Sequence, residues 1–113
     1  MFFNELAQRV HQNAISKGWW DEERNFGETI ALMHEELSEA LSEYRHGRSY
    51  TEIYSTTELN GIQKPEGIPV ELCDTIIRIL DFLGSLDIDI DSVMASKIAY
   101  NETRPYRHGG LKA

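Results

Sequence analysis

Four carboxylates, Glu36, Glu39, Glu71 and Asp74, have the types and spacing to do chemistry. They fall in two short motifs, Glu35-Glu36-Leu37-Ser38-Glu39 and Glu71-Leu72-Cys73-Asp74. Each motif sets two acids three positions apart in a segment with helical periodicity, and residues at i and i+3 lie one turn apart on one side of a helix. Two such helices packed together can aim four acids at one point. Like charges at that density are unfavourable unless cations neutralise them, and oxygen-only donor sets suit hard ions such as Mg²⁺ or Mn²⁺. Such a site suggests phosphoryl chemistry. Divalent ions orient a polyphosphate, offset charge on its oxygens and lower the pKa of a bound water. A carboxylate just outside the metal shell can take the proton of that water. Glu35 is the candidate by proximity, although it projects away from the apolar stripe of its helix.

A blander reading stands beside each of these. Acids cover the solvated faces of most helices, and Asp74–Arg78 is spaced as an ordinary i, i+4 ion pair, worth a few tenths of a kcal/mol. An E-x-x-E pair alone is common. Two such pairs on consecutive long helices are less so, because a bundle with inward-facing acids is a known design for metal centres. Glu43-Tyr44-Arg45-His46 is the only Glu-x-x-His match. It ends a helix and has no second copy, which favours an oxygen-only divalent site over a di-iron one.

The elements that must position these acids are readable. A first helix is predicted from about Phe2 to Lys17, stopped by Gly18. A second runs from Asn25 to about His46, with Asn25 as N-cap, Glu28 completing a capping box, and Ile30, Met33, Leu37, Ala40, Leu41 and Tyr44 as its apolar stripe. A third opens at Pro69 and runs to about Ser85. A fourth is capped by Asp89 or Asp91 and ends before Pro105. Between the second and third lies a long connection, Gly47 to Ile68, with a short helical turn expected near Tyr50 to Tyr54; loops of this length are commonly functional. No strand alternation is evident, so the class expected is all-α, in one domain spanning residues 1–113.

The C-terminal stretch reverses the charge pattern. Lys97, Asn101 and Arg104 share one helical face, able either to contact phosphate or simply to lie solvated. Trp19 and Trp20 read as a core lid, with base stacking as the alternative. His11 could meet a base edge but is more often structural. Cys73 lies among apolar neighbours and is expected in the core.

Composition sets the outer limits. The chain has 113 residues and a formal net charge of -8. That argues against binding a nucleic-acid backbone. It is compatible with a nucleotide substrate bridged by divalent ions. One cysteine allows no internal disulfide, which fits a reducing compartment. With no signal-like N-terminus and no stretch of ~20 apolar residues, a soluble cytoplasmic protein with no membrane partner is expected.

The order Glu35-Glu36-x-x-Glu39 then Glu71-x-x-Asp74 resembles the EExxE…ExxD signature of the MazG-like, all-α nucleoside triphosphate pyrophosphohydrolases. Lys97-Ile98-Ala99-Tyr100-Asn101-Glu102-Thr103-Arg104-Pro105-Tyr106-Arg107-His108-Gly109-Gly110 is similar to the ending of their small members, and Lys64-Pro65-Glu66-Gly67-Ile68-Pro69-Val70-Glu71 also looks characteristic of them. The resemblance implies a four-helix bundle completed by dimerisation, as a homodimer or a tetramer of dimers. It implies Mg²⁺-dependent hydrolysis of a (d)NTP to monophosphate and pyrophosphate. Glu36, Glu39, Glu71 and Asp74 would be metal ligands and Glu35 a water-orienting or basic group. Lys97, Asn101 and Arg104 would contact substrate, from the same or a neighbouring subunit. His11 and Trp20 have the spacing of a base-pocket pair in related dCTP pyrophosphatases. One departure is the 47–68 connection, longer than in the most compact members, which bears on pocket shape. Rival functions are a metal phosphohydrolase for other polyphosphates and a non-catalytic helical interaction module.

Overall fold

The computed structural model describes residues 2–112, and it is mostly helical. The main elements are α1 (Phe3–Ser16), α2 (Phe26–Arg45), α3 (Ile68–Ser85) and α4 (Ile90–Thr103). The expected helices are all present, with ends within two residues of their predicted positions. Asn25 caps α2 by accepting from Glu28 N at 2.8 Å. The Glu28 side chain returns to the Asn25 amide at 3.2 Å rather than to its backbone. The two acids proposed to cap α4 divide the work. Asp89 accepts from Ser92 N within α4, whereas Asp91 accepts from Phe3 N at 2.8 Å and so caps α1. Asn4 of α1 reciprocates, its Oδ1 accepting from Ile90 N at 2.7 Å. Two helix starts thus satisfy each other's orphan amides.

The connection between α2 and α3 corrects the all-α expectation. It holds a two-stranded antiparallel hairpin, β1 (Tyr54–Thr57) and β2 (Gln63–Glu66), with Tyr54 opposite Glu66 and Thr57 opposite Gln63. Residues 50–51 form a turn, not the helical turn expected there. The strands follow from Tyr54, Thr56 and Thr57, which suit extended backbone. The reversal uses Asn60 and Gly61, the latter at φ 84°, with Gly61 N donating to Glu58 O at 2.9 Å. Strands of four residues, largely exposed, leave no alternating pattern to read. A last turn, Arg107–Gly110, has positive φ at all four residues and is not a regular helix.

α3 packs against both α1 and α2. The small core is Ala7, Leu80 and Ile90, with Phe3 and Leu83 against it. α1 and α3 cross where Gly84 meets Ala7: a Cβ on Gly84 would stand 2.9 Å from Ala7 O and 3.0 Å from His11 Cβ. The four-helix bundle expected is not completed within one chain. α4 joins α1 by its first turns, and residues 95–103 are all exposed. Cys73 is exposed, not in the core. The reason is the breadth of α3's apolar arc: Leu72, Ile76 and Ile79 are also exposed, because α1 and α2 cover only part of it.

Gly84→Ala is expected to destabilise the fold. Overpacking costs of about 1–3 kcal/mol should exceed the helix-propensity gain of about 1 kcal/mol. A urea midpoint equal to or above wild type would show that the crossing has slack.

Candidate metal and phosphate site

α2 and α3 bring the two acidic motifs together. Glu36, Glu71 and Asp74 each offer a carboxylate oxygen, all within 4.8 Å of one another. Glu39, one turn on from Glu36, is near enough for its carboxyl to raise that of Glu71. Three of the four predicted ligands therefore meet, and Glu39 lies exposed beside them. Glu36 and Glu71 are buried, at 8% and 7% exposure. Local sequence explains the depth of Glu71. Gly67 precedes α3 at φ 126°, and a Cβ there would overlap Glu52 O, so only glycine lets the chain turn this tightly into the helix. Pro69 then starts the helix, and Glu71 enters in the first turn.

The electrostatics are those of an unmet demand for positive charge. Burial, then the Glu39 carboxyl, pushes Glu71 up to about 8. Asp74 is also raised, first by burial and then by Glu36, with Arg78 and Lys64 acting the other way. Arg78 does not pair with Asp74 as its spacing suggests. Its Nε donates across the helices to Glu36 Oε1 at 2.7 Å. Glu71 Oε2 is buried with no hydrogen-bond partner, an arrangement that ordinarily costs stability and calls for an explanation. A divalent cation fits. The donors are all oxygen, and oxygens around Mg²⁺ stand no more than about 4.2 Å apart, twice the bond of ~2.1 Å. Closing on an ion needs only small side-chain movements.

The remaining predicted residues are placed differently. His11 and Trp20 are brought together, but by a third residue. His11 Nδ1 lies 2.9 Å from Asp81 Oδ1, Trp20 Nε1 donates to Asp81 at 3.0 and 3.2 Å, and the rings meet edge-on at 5.0 Å. Asp81 lies one turn beyond Arg78 and two beyond Asp74 on α3, and that helical spacing is the signal that could have found it. A cleft of about 760 Å³ opens beside the acids, its lining including Glu36, Asp74, Leu6, Asn13 and Trp19. Trp19, 66% exposed, lines it; Trp20 does not. Glu35 is exposed one turn before Glu39, without a hydrogen-bond partner among the described residues. Lys97 and Arg104 sit on the exposed part of α4, 4.8 and 5.7 Å from the Tyr100 ring, and Asn101 is exposed beside them. Neither cation is among the charges acting on Glu71 or Asp74.

A second acidic group was not foreseen. Glu43 of α2 and Glu66 of β2 bring carboxylate oxygens within 4.8 Å of one another and of Glu71. Glu43 accepts from the Tyr54 hydroxyl at 2.8 Å, and Glu66 pairs with Lys64 at 3.3 Å. The hairpin that carries these contacts was unread, so its approach to the acids was invisible.

No family model, curated protein or solved structure matches the chain.

The raised Glu71 carboxyl gives a signed pH dependence. The unfolded chain loses this proton near its ordinary 4.5, while the folded chain keeps it to about 8. Between those values the folded state binds more protons, so stability falls as pH rises. That contribution is present in full below pH 4.5 and lost by passage through about 8. In chelator, the melting temperature of wild type should therefore drop relative to Glu71→Gln across this window. Mn²⁺ at pH 8 should raise wild type and not the variant. Parallel pH curves for the two proteins would contradict this account of Glu71.

Proposed function

We propose that this protein hydrolyses a (deoxy)nucleoside triphosphate to the monophosphate and pyrophosphate, with Mg²⁺ or Mn²⁺ as cofactor and a role in nucleotide-pool sanitation. One observation carries the reading: Glu36, Glu71 and Asp74, from two helices, bring carboxylate oxygens within 4.8 Å of one another, Glu71 Oε2 is buried without a partner, and Glu36 and Asp74 line a cleft of nucleotide scale. Glu36, Glu39, Glu71 and Asp74 would hold the cation. A divalent ion held there would offset part of the cluster's charge and supply Lewis-acid polarisation of phosphate oxygens. Arg78 fixes the rotamer of Glu36. Glu35, on the same ridge of α2 as Glu39, is the candidate to orient water from outside the ligand set. His11 of α1 and Trp20 of the turn after it both meet Asp81, which lines the cleft. Catalysis would be positional and electrostatic.

The reading includes a homodimer, or a tetramer of dimers. The chain exposes 8785 Å², against about 6,300 Å² for a compact monomer of this mass. Its radius of gyration is 17.1 Å, against about 13 Å. Leu37, Leu41, Leu72, Ile76 and Val93 are all exposed, and the excess area is of the order that obligate dimers bury. The exposed end of α4 would then carry Lys97, Asn101 and Arg104 to a neighbouring subunit's cleft. No helix among the described residues is long and apolar enough to cross a membrane.

Pyrophosphate release from individual (d)NTPs with Mg²⁺ or Mn²⁺ tests the chemistry. Glu39→Gln should lower kcat by at least about tenfold, since even outer-shell partners of a bound metal are worth about 10–100-fold, with helicity and oligomer size retained. Turnover of no nucleotide would overturn the reading, and orthophosphate as the product would favour the rival phosphohydrolase. Light scattering should give a mass of at least two chains; a monodisperse monomer would remove the composite site.

A further inference from the structure

The β1–β2 hairpin is fastened to the site rather than hung between helices. The Tyr54 hydroxyl donates to both oxygens of Glu43, at 2.8 and 3.0 Å. Arg48 lies 3.7 Å over the Tyr54 ring and pairs with Glu52 at 2.6 Å. At the other end, Gly67 packs directly on the Glu52 carbonyl. These ties hold β2 against the acids, so that Glu66 shares a cluster with Glu71. Lys64 is two residues before Glu66, on the same face of β2, and its Nζ lies 3.3 Å from Glu66 Oε1. Its positive charge reaches Asp74, and the Glu71 charge reaches it in turn.

Two cations, Arg78 and Lys64, act on Asp74, and they are in different situations. Arg78 is committed to Glu36 at 2.7 Å. Lys64 is 59% exposed on a flexible stem, and its partner is not one of the four predicted ligands. An ion pair that exposed is worth about 0–1 kcal/mol, so it is separated at little cost. A triphosphate brings more negative charge than one divalent ion offsets, and Glu43 and Glu66 at the rim would repel the remainder. An ammonium is a compact point charge suited to phosphate oxygens.

We propose that Lys64 is a phosphate-contacting residue: its ammonium leaves Glu66 for the polyphosphate seated beside the Glu36–Glu71–Asp74 cluster, and the hairpin is a third wall of the site. Glu66 is the positioning residue that parks Lys64 when no phosphate is present. This rests on the nucleotide-hydrolase reading for its substrate, but not for its test. Inorganic tripolyphosphate is titrated by calorimetry into the full chain with Mn²⁺, for wild type, Lys64→Met and Lys64→Arg, alongside Mn²⁺ alone. Lys64→Met should weaken tripolyphosphate at least about tenfold, the loss of one hydrogen bond to a charged group. Lys64→Arg should restore most of it. Mn²⁺ affinity and melting temperature should not fall, and KM should rise more than kcat drops in any nucleotide assay. Unchanged tripolyphosphate affinity in Lys64→Met overturns the proposal, even if the wild type is an active pyrophosphohydrolase. Lys64-dependent tripolyphosphate binding without hydrolysis of any (d)NTP would leave the phosphate contact standing and remove the pyrophosphohydrolase.

Discussion

A carboxylate held out of water beside three others is the constraint around which this protein is arranged. Glu71 is 7% exposed, and its buried Oε2 meets no donor. A charge so placed is held only if the surrounding structure forces it, or if it stays protonated until something positive arrives. Both occur here. The carboxyl keeps its proton to about 8, and the backbone that holds it has little freedom. Gly67 admits no side chain, Pro69 sets the first turn, and Arg78 ties the facing helix by its grip on Glu36.

The rest of the fold serves to hold α2 and α3 in register. α1 contributes through close contact rather than volume: Ala7 against Gly84 lets two backbones approach, and His11 and Trp20 then converge on Asp81 from one side. The reciprocal caps between the starts of α1 and α4 fix where the fourth helix leaves. Beyond that turn α4 has little to pack against in its own chain. Its cations, Lys97 and Arg104, lie near the Tyr100 ring. Positive charge near the acids thus comes from an arginine paired with Glu36 and from an exposed lysine on the hairpin.

The helices were legible because their boundary signals are local. Asn25 and Asp89 do cap, Gly18 and Gly47 do stop, and each acts within a few residues of itself. The four acids were legible for the same reason, since i, i+3 spacing fixes a shared face once a segment is helical. The hairpin was not. Its strands are short and exposed, so neither face is patterned, and Asn60-Gly61 was the one turn signal. Cys73 was misplaced because an apolar neighbourhood in sequence does not say whether one chain supplies the atoms to cover it.

Periodicity, caps and charge spacing therefore determined the helices, their ends and the acidic faces. All are properties of a segment in isolation. Only the packed chain decided that Arg78 reaches Glu36 instead of Asp74, that His11 and Trp20 close on Asp81, and that Lys64 and Glu66 come beside Glu71. Those outcomes depend on how helices cross and where a hairpin folds back, and such angles are set by contacts between residues far apart in sequence.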